Sequence, residues 1–552
     1  MFNYLYFMYE EATLINLGTW LTMGNLDMKY GLLLDSLSLS VMVPVGMVTL
    51  CVLFYAMEYM AHDPNRNRFY MMLSVFAMFM TMLVVSENYL MMFMGWEFVG
   101  VVSYLLMSFW NTRVTAMKSA LSAMLLNRMG DTFFVMCLGT LMMNFNALDF
   151  ETMELMAPHM NTNLLNFMAV MLLVAATAKS AQLGLHAWLL SAMEGPTPVS
   201  SLLHAATMVC SGVFVLVRSW YMLEYTPSML MVMLWLGGLT TMVSGLMAVV
   251  TNDMKRVMAL STMSQLSMMM LAMGVSSYEL AMYHLYCHAF FKALLFMSAG
   301  SMMHSVMSET QDMRKYGGLM DYLPYSYTTM LMASLSLMAM PGLTGYYSKD
   351  MMMESLYGSY TMTGYMMYYM ATTSATLTAM YSLRVMYLTF YNNPNNNKYT
   401  YGLVHENVNM AMPMFMLTMY SMFMGYARDN VTFHMAMGMP YTNSLMETEY
   451  TLTSLYKLLP LMLGLSLSML LVYMYEYTYK MMKSPMYNYL NQRMYFDQLL
   501  NNLVMRPTLV LGGYLNHYVD NGLLKVLGST GMYKLLNYMP VLLMFNLMMM
   551  FM

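Results

Sequence analysis

The chain has 552 residues, 59% of them hydrophobic and only 9% charged, with a formal net charge of −4. So few charges over such a length exclude a soluble globular fold, and the short polar links leave no room for a nucleotide-binding domain. Uncharged stretches such as 37–57, 229–250 and 257–278 reach the roughly 20 apolar residues that a bilayer crossing takes.

In chain order the expected spans are 36–58, 69–86, 88–110, 117–143, 164–193, 197–220, 229–250, 255–275, 279–304, 323–354, 361–391, 408–426, 456–478 and 531–551. A lipid-facing backbone must satisfy its own hydrogen bonds, and no segment alternates like a barrel strand, so the fold class is an all-α polytopic membrane protein of about fourteen helices. Over the first nine spans, one side carries Arg66, Arg68, Arg113, Lys118, Lys255, Arg256, Arg314 and Lys315. The other has Lys29 and Arg218 among Glu87, Asp149, Glu151, Glu154, Glu224 and Glu279. The positive-inside rule makes the first side cytoplasmic, or matrix in a mitochondrion, with residues 1–35 and the C-terminus opposite.

Methionine occurs 89 times and isoleucine once, at Ile15. A flexible thioether specifies packing less well than a branched side chain, so this exchange points to an organellar code that reads an isoleucine codon as Met. Residues 1–20 also lack the Arg-rich, acid-poor character of a transit peptide. Cys51, Cys137, Cys210 and Cys287 stand singly in apolar runs, with no spacing for zinc or an iron–sulfur cluster, so no metal or redox cofactor is expected in this chain.

Two stretches share one plan. Residues 164–198 are apolar, carry Lys179, and are interrupted at Gly184 and at Gly195-Pro196-Thr197-Pro198; residues 323–354 are interrupted at Pro341-Gly342 and Gly345, just before Lys349-Asp350. Interrupted helices in corresponding positions mark transporter sites. Five spans in 69–220 and five in 229–391 would form inverted repeats, preceded by an N-terminal segment and first helix in 1–68 and followed by further helices in 392–483.

Charge inside these runs is costly: a central Lys or Asp costs about 2.5–3.5 kcal/mol on insertion scales, so such residues face the bundle interior and mark ion or proton routes. Glu97, Lys179 and Lys292 are of this kind. His284, His288 and Lys292 fall at i, i+4 and i+8, on one helix face, a stripe suited to passing protons. Arg128 and Asp131, three residues apart, are placed to pair with each other. His204 lies within a span, and Asp253 at a helix start suits a simple cap. A Glu–Lys pair at 4 Å and an effective dielectric of about 20 is worth roughly 4 kcal/mol. One charge crossing 100 mV takes about 2.3 kcal/mol, so a change of pairing is large enough to move a proton uphill.

The run Ala178-Lys179-Ser180-Ala181-Gln182-Leu183-Gly184-Leu185-His186-Ala187-Trp188-Leu189, then Met193-Glu194-Gly195-Pro196-Thr197-Pro198-Val199-Ser200 and His204, resembles the core of the antiporter-like, Mrp-type subunits of respiratory complex I. Gly95-Trp96-Glu97-Phe98-Val99-Gly100, Asn127-Arg128-Met129-Gly130-Asp131, His288-Ala289-Phe290-Phe291-Lys292-Ala293-Leu294-Leu295-Phe296 and Gly345-Tyr346-Tyr347-Ser348-Lys349-Asp350 agree in the same order. The resemblance implies proton translocation, with Glu97 and Lys179 as a switching pair and His204 linking them to the centre. His284, His288 and Lys292 would carry the proton onward, and Lys349 and Asp350 would end the path. Arg128, Asp131, His186 and Asp253 would support it.

It further implies the mitochondrial inner membrane and other membrane-arm subunits as partners, above all a neighbouring antiporter-like one. Phospholipids such as cardiolipin are expected around it, with no nucleic acid, and NADH, FMN, iron–sulfur clusters and ubiquinone are left to other subunits. Members of the family usually begin with about two further helices, so the amino end is either truncated or lacks them. Residues 484–530 would be a lateral amphipathic helix on the matrix side, broken by Pro507 and Gly512-Gly513, and 531–552 a C-terminal anchor. A free-standing cation/proton antiporter and a non-pumping structural subunit are the alternative readings.

Overall fold

The structure, a computed structural model, describes residues 12–23, 26–306, 310–359, 361–432, 452–477 and 485–550. The ends expected at 478 and 551, and the start of the lateral segment at 484, lie outside the described residues. The chain divides into two units, Met1–Met482 and Lys483–Met552.

The first unit opens with an antiparallel hairpin, β1 (Thr13–Met23) and β2 (Leu26–Leu34), so the fold is mostly helical rather than all-α. The cause is local: Thr13, Ile15, Thr19, Trp20 and Thr22 favour extended backbone, and the two runs are separated only by Gly24-Asn25, a hairpin-turn dipeptide. Asp35 ends the hairpin and caps the first long helix, its side chain accepting from the Ser38 amide at 2.8 Å. Asp35 is also ion-paired with Arg218 from far along the chain. On the same acid-rich side, partial burial first and the Asp149 carboxylate second push the Glu87 carboxyl above its ordinary value.

The helices that follow are α1 (Ser36–Tyr59), α2 (Arg66–Val84), α3 (Tyr89–Met107), α4 (Val114–Phe145), α5 (Thr162–Lys179), α6 (Ala187–Ser191), α7 (Thr197–Ala205) and α8 (Met208–Arg218). Then come α9 (Pro227–Val250), α10 (Met254–Gly274), α11 (Tyr278–Ser305), α12 (Pro324–Leu337), α13 (Thr344–Gly358), α14 (Met362–Met386), α15 (Val408–Thr432) and α16 (Ser454–Tyr477). Among the described residues ten helices, counting α7 and α8 together, are long and apolar enough to cross a membrane. The chain is a multi-pass membrane protein. The other expected spans are helical too, but α12 and α13 are each too short alone, and α14 and α15 mix Tyr, Thr and Met where Leu or Ile would raise apolarity.

The pair α7–α8 with α10 and α11 is buried on nearly every side, whereas α2, α4 and α16 expose one flank. Helices apolar all round belong inside the bundle. The end of α5 is wedged between α4 and α8: Gly130 passes against Ala175 and Ala178, and a Cβ on Gly212 would come within 2.6 Å of the Ala176 carbonyl. Only glycine admits such an approach.

Both interrupted helices break in the same way. After α5, Ala181 and Gly184 take φ of 51° and 105°; after α12, Ala339 and Gly342 take 62° and 84°. The backbone bonds repeat residue for residue. Gln182 N–H donates to the Thr177 carbonyl at 3.0 Å and Met340 N–H to Leu335 at 3.2 Å, while Leu185 donates to Gln182 and Leu343 to Met340. This is a Schellman-type ending, with alanine where glycine is usual. A third interruption, at Ala206-Thr207 between α7 and α8, had no sequence signal; there Thr207 Oγ1 donates back to the Leu202 carbonyl at 2.8 Å.

The second unit contains α17 (Pro485–Asn491), a left-handed stretch at Arg493, Met494 and Tyr495, a continuous helix α18 over 496–527, and α19 (Ser529–Met550). The break expected at Pro507 and Gly512-Gly513 does not occur. Two π-helical turns, Asn501–Met505 and Leu515–Leu523, bracket that segment. The wider turn before Pro507 accommodates the ring and the hydrogen bond that proline cannot donate. The helix ends instead at Gly528, where the backbone becomes extended.

A Cβ in the left-handed region costs roughly 1–2 kcal/mol, against an entropic penalty of about 0.4–1 kcal/mol for introducing glycine. Ala181→Gly and Ala339→Gly should therefore keep or raise the unfolding temperature of the detergent-extracted protein, and Ala→Val at either position should lower it. Valine variants as stable as the parent would contradict strain at the breaks.

Candidate functional site

Lys179 is the last residue of α5, so its side chain emerges where the helix stops. It is 1% exposed. Its ammonium donates to the Trp96 carbonyl on α3 at 3.2 Å and lies 5.1 Å from the centre of the Trp96 indole. One turn along α3, a Cβ on Gly100 would sit 3.1 Å from the same nitrogen. Trp96 is itself fixed by donating Nε1–H to Asp131 at 2.7 Å.

Glu97 follows Trp96 on the helix and points away, accepting from Arg128 at 2.8 Å; the two side chains are 20% and 50% exposed. The i,i+3 pair expected between Arg128 and Asp131 does not form. Arg128 turns to Glu97 and Asp131 to the indole, so each finds its partner on the adjacent helix. Glu97 and Lys179 flank one segment of α3 without forming an ion pair with each other.

In the other half, His284, His288 and Lys292 form the expected stripe along α11, all buried. His284 is held at both ring nitrogens, Nδ1 to the Ser348 hydroxyl at 2.9 Å and Nε2 to the Gln265 side-chain oxygen at 3.0 Å. The next residue, Lys349, donates to Thr378 Oγ1 at 3.0 Å and reaches the Leu337 carbonyl at 3.5 Å. Leu337 is the last residue of α12. Lys349 thus meets the carbonyl end of α12, where the helix dipole favours positive charge, whereas Lys179, at the end of α5, bonds a carbonyl of α3. Asp350 and Lys349 line a cavity of about 10 Å³ beside the break residues Met338, Ala339 and Met340, room for about one water.

Lys292 donates to the Ser261 hydroxyl and, at 3.5 Å, to the Met258 carbonyl on α10. The His284 and His288 rings are 6.4 Å apart, centre to centre. His204, at the end of α7, is fully buried, stacks on Phe296 of α11 at 5.7 Å, and has both ring nitrogens without a hydrogen-bond partner. His288 likewise has no well-formed bond, although the Ala205 carbonyl at the α7–α8 break faces it. Buried imidazoles left so are strong sites for water, since an unmade buried hydrogen bond costs about 1–3 kcal/mol.

The structure therefore buries Lys179, His204, His284, His288, Lys292 and Lys349 in the bundle, with the partly buried Asp350 beside Lys349 and with Glu97 and Arg128 at its flank. His186 is buried just ahead of α6. Asp253 lies off this line: it stands just before α10, forms no side-chain cap, and instead pairs at 2.8 Å with Arg256 in the first turn of that helix. Sequence reasoning missed Gln265, Ser261 and Thr378, because uncharged polar residues in apolar runs carry no cost large enough to single them out, and it met Trp96 and Ser348 only inside the family motifs. Gln182, whose Oε1 accepts from Thr240 at 2.8 Å, was visible only as part of the family motif. Among the described residues no group of three or more His, Cys, Asp or Glu is arranged to hold a metal.

Because Asp131 accepts a buried indole N–H, Asp131→Leu should cost about 2 kcal/mol and lower the unfolding temperature, while Asp131→Asn, which keeps an acceptor, should stay near the parent. Equal stability of the two would dismiss the Trp96 contact as an anchor.

Comparison with known proteins gives three family matches. The family described as NADH:quinone oxidoreductase/Mrp antiporter matches residues 86–378, the chain 5 N-terminus family of NADH-ubiquinone oxidoreductase (complex I) matches 20–70, and the NADH dehydrogenase subunit 5 C-terminus family matches 381–552. The chain is 75% identical to NADH-ubiquinone oxidoreductase chain 5 of Debaryomyces hansenii over 99% of this chain and 92% of that protein. It is 67% identical to that of Candida parapsilosis over 100% and 99%, and 65% identical to that of Candida albicans over 99% of each. Among solved structures, the Mrp complex of a Dietzia species aligns with a TM-score of 0.78 at 21% identity, covering 93% of this chain and 55% of that one; this likeness concerns the fold.

Proposed function

Because this chain belongs to the family of NADH-ubiquinone oxidoreductase chain 5, the proton-translocating antiporter-like subunits of complex I, we propose that protons cross it along the buried line from Lys179 through His204, Lys292, His288 and His284 to Lys349 and Asp350. The observation that carries this reading is the row of titratable groups that are buried yet bonded only to neutral oxygens or to nothing. A structural ion pair satisfies its own charge. Groups not locked in bonded ion pairs inside a bundle are suited to exchanging protons with water.

Glu97 is the switching partner. In this state it is bound to Arg128, and Lys179 rests on the Trp96 carbonyl. Moving the carboxylate from Arg128 to Lys179 would change the lysine's interaction by roughly 4 kcal/mol at 4 Å and an effective dielectric near 20, above the roughly 2.3 kcal/mol that one charge needs against 100 mV. The half-exposed Arg128 in the middle of α4 is out of place against lipid, which supports a protein neighbour on that flank. We assign it to the adjacent antiporter-like subunit.

The same reading gives the chain its finer architecture: fourteen crossings, inverted five-helix repeats over 69–220 and 229–391, further helices in 392–483, a lateral helix in 484–530 and an anchor in 531–552. The matching breaks after α5 and α12, each in the fourth span of its block, support the repeat. The membrane is the mitochondrial inner membrane, with the basic loops facing the matrix and phospholipids such as cardiolipin around the bundle. NADH, FMN, iron–sulfur clusters and ubiquinone act in partner subunits, whose redox state reaches this chain through shifts in charge and shape.

Lys179→Ala or Glu97→Ala in the assembled complex should abolish the proton pumping that depends on this chain and depress coupled turnover, leaving NADH oxidation by an artificial acceptor intact. Normal pumping in both variants would refute the assignment.

A further inference from the structure

We infer that protons reach His204 from the basic face through a narrow passage between Tyr55, Thr197 and Gly300, which lies beneath a cavity of about 640 Å³. The inference rests on the proposed buried line and adds its point of entry. The cavity is lined by His62, Arg113, Glu194, Lys255, His304 and His405, a mixture of acidic, basic and imidazole side chains. Three elements lead inward from its lining, and on each a glycine or a hydroxyl-bearing residue lies within three or four positions.

On α1 this feature is Tyr55, one turn before Tyr59 of the cavity wall; the two rings stack at 5.9 Å, and Tyr59 packs on His304 at 5.4 Å. On α7 it is Thr197, three residues after Glu194. On α11 it is Gly300, one turn before His304. These three converge. A Cβ on Gly300 would lie 2.6 Å from the Tyr55 hydroxyl oxygen and 2.8 Å from Thr197 Oγ1, so the missing side chain is what allows the hydroxyls to share this space. Tyr55 is fixed there by donating to the Met297 carbonyl at 3.0 Å.

Beyond the constriction the same face of α7 continues with Ser201 and then His204, at i+4 and i+7 from Thr197, both fully buried. His204 has two unbonded ring nitrogens and lies against α11 one turn from Lys292. Thr197 accepts a proton from cavity water on its oxygen and releases its own to Ser201, which turns from the Pro198 carbonyl it donates to at 2.8 Å and passes its own proton to a ring nitrogen of His204, so both hydroxyls are regenerated. Lys255 holds the entrance open by donating to the Gly195 carbonyl at 3.1 Å, ahead of α7. Tyr55 comes from α1, outside both repeats, and acts as a positioning residue for this opening.

The test uses the whole complex in sealed vesicles and compares Thr197→Val, Thr197→Ser, Gly300→Ala and Lys292→Ala. NADH-driven proton uptake is the readout, with oxidation of NADH by an artificial acceptor as the control for assembly. Thr197→Val keeps the shape of the side chain and removes only the hydroxyl. It and Gly300→Ala should lose as much pumping as Lys292→Ala loses, while Thr197→Ser should pump like the parent. If Lys292→Ala fails to pump but Thr197→Val pumps normally, entry lies elsewhere and this inference falls while the buried line stands. If Lys292→Ala also pumps normally, the buried line itself is overturned.

Discussion

An ammonium in the membrane interior has to find oxygen, and this chain supplies it from its own backbone. Lys179 rests on the Trp96 carbonyl and Lys349 on the carbonyl that ends α12. Lys292, on an unbroken helix, takes the Ser261 hydroxyl instead. None of the three is neutralised by a carboxylate in bonding contact. Burial without neutralisation is expensive, and the surrounding architecture lowers that cost without removing it: the interrupted α12 presents a free carbonyl to Lys349, serines and threonines line α10 and α14, and glycines allow α4 and α8 to close around the end of α5.

The interruptions carry both functions at once. Each frees carbonyls that would otherwise be satisfied within the helix, and each does so at an alanine forced into left-handed backbone. The strain at Ala181 and Ala339, and the third break at Ala206-Thr207 beside His204, fall where polar groups must face a shared interior rather than their own helix. Packing maintains these breaks; propensity does not, since alanine is the best helix former.

Much of this was legible from composition. Apolar length located the helices, because bilayer thickness imposes it, and the charges at Glu97, Lys179 and Lys292 stood out because hydrocarbon penalises them, while Lys349 was marked by the interrupted helix before it. The α11 stripe followed from helical spacing alone. The hairpin of β1 and β2 escaped because a membrane reading looks for twenty-residue runs and passes over strands about half that length. Arg128 and Asp131 were misjudged as partners because i,i+3 spacing shows what is possible on one helix and is blind to Glu97 and Trp96 on the next. The continuity of the helix through Pro507 was hidden because a π-helical turn leaves no mark in residue type.

The central claim is that the interior polar groups form one hydrated line. Ordered water in a high-resolution density map of the intact complex tests it most directly. The account predicts waters bonded to both nitrogens of His204 and His288, joining Lys179 to Lys292 and onward to the small cavity at Lys349 and Asp350. A dry aliphatic gap longer than one side chain anywhere between Lys179 and Lys349 would contradict it.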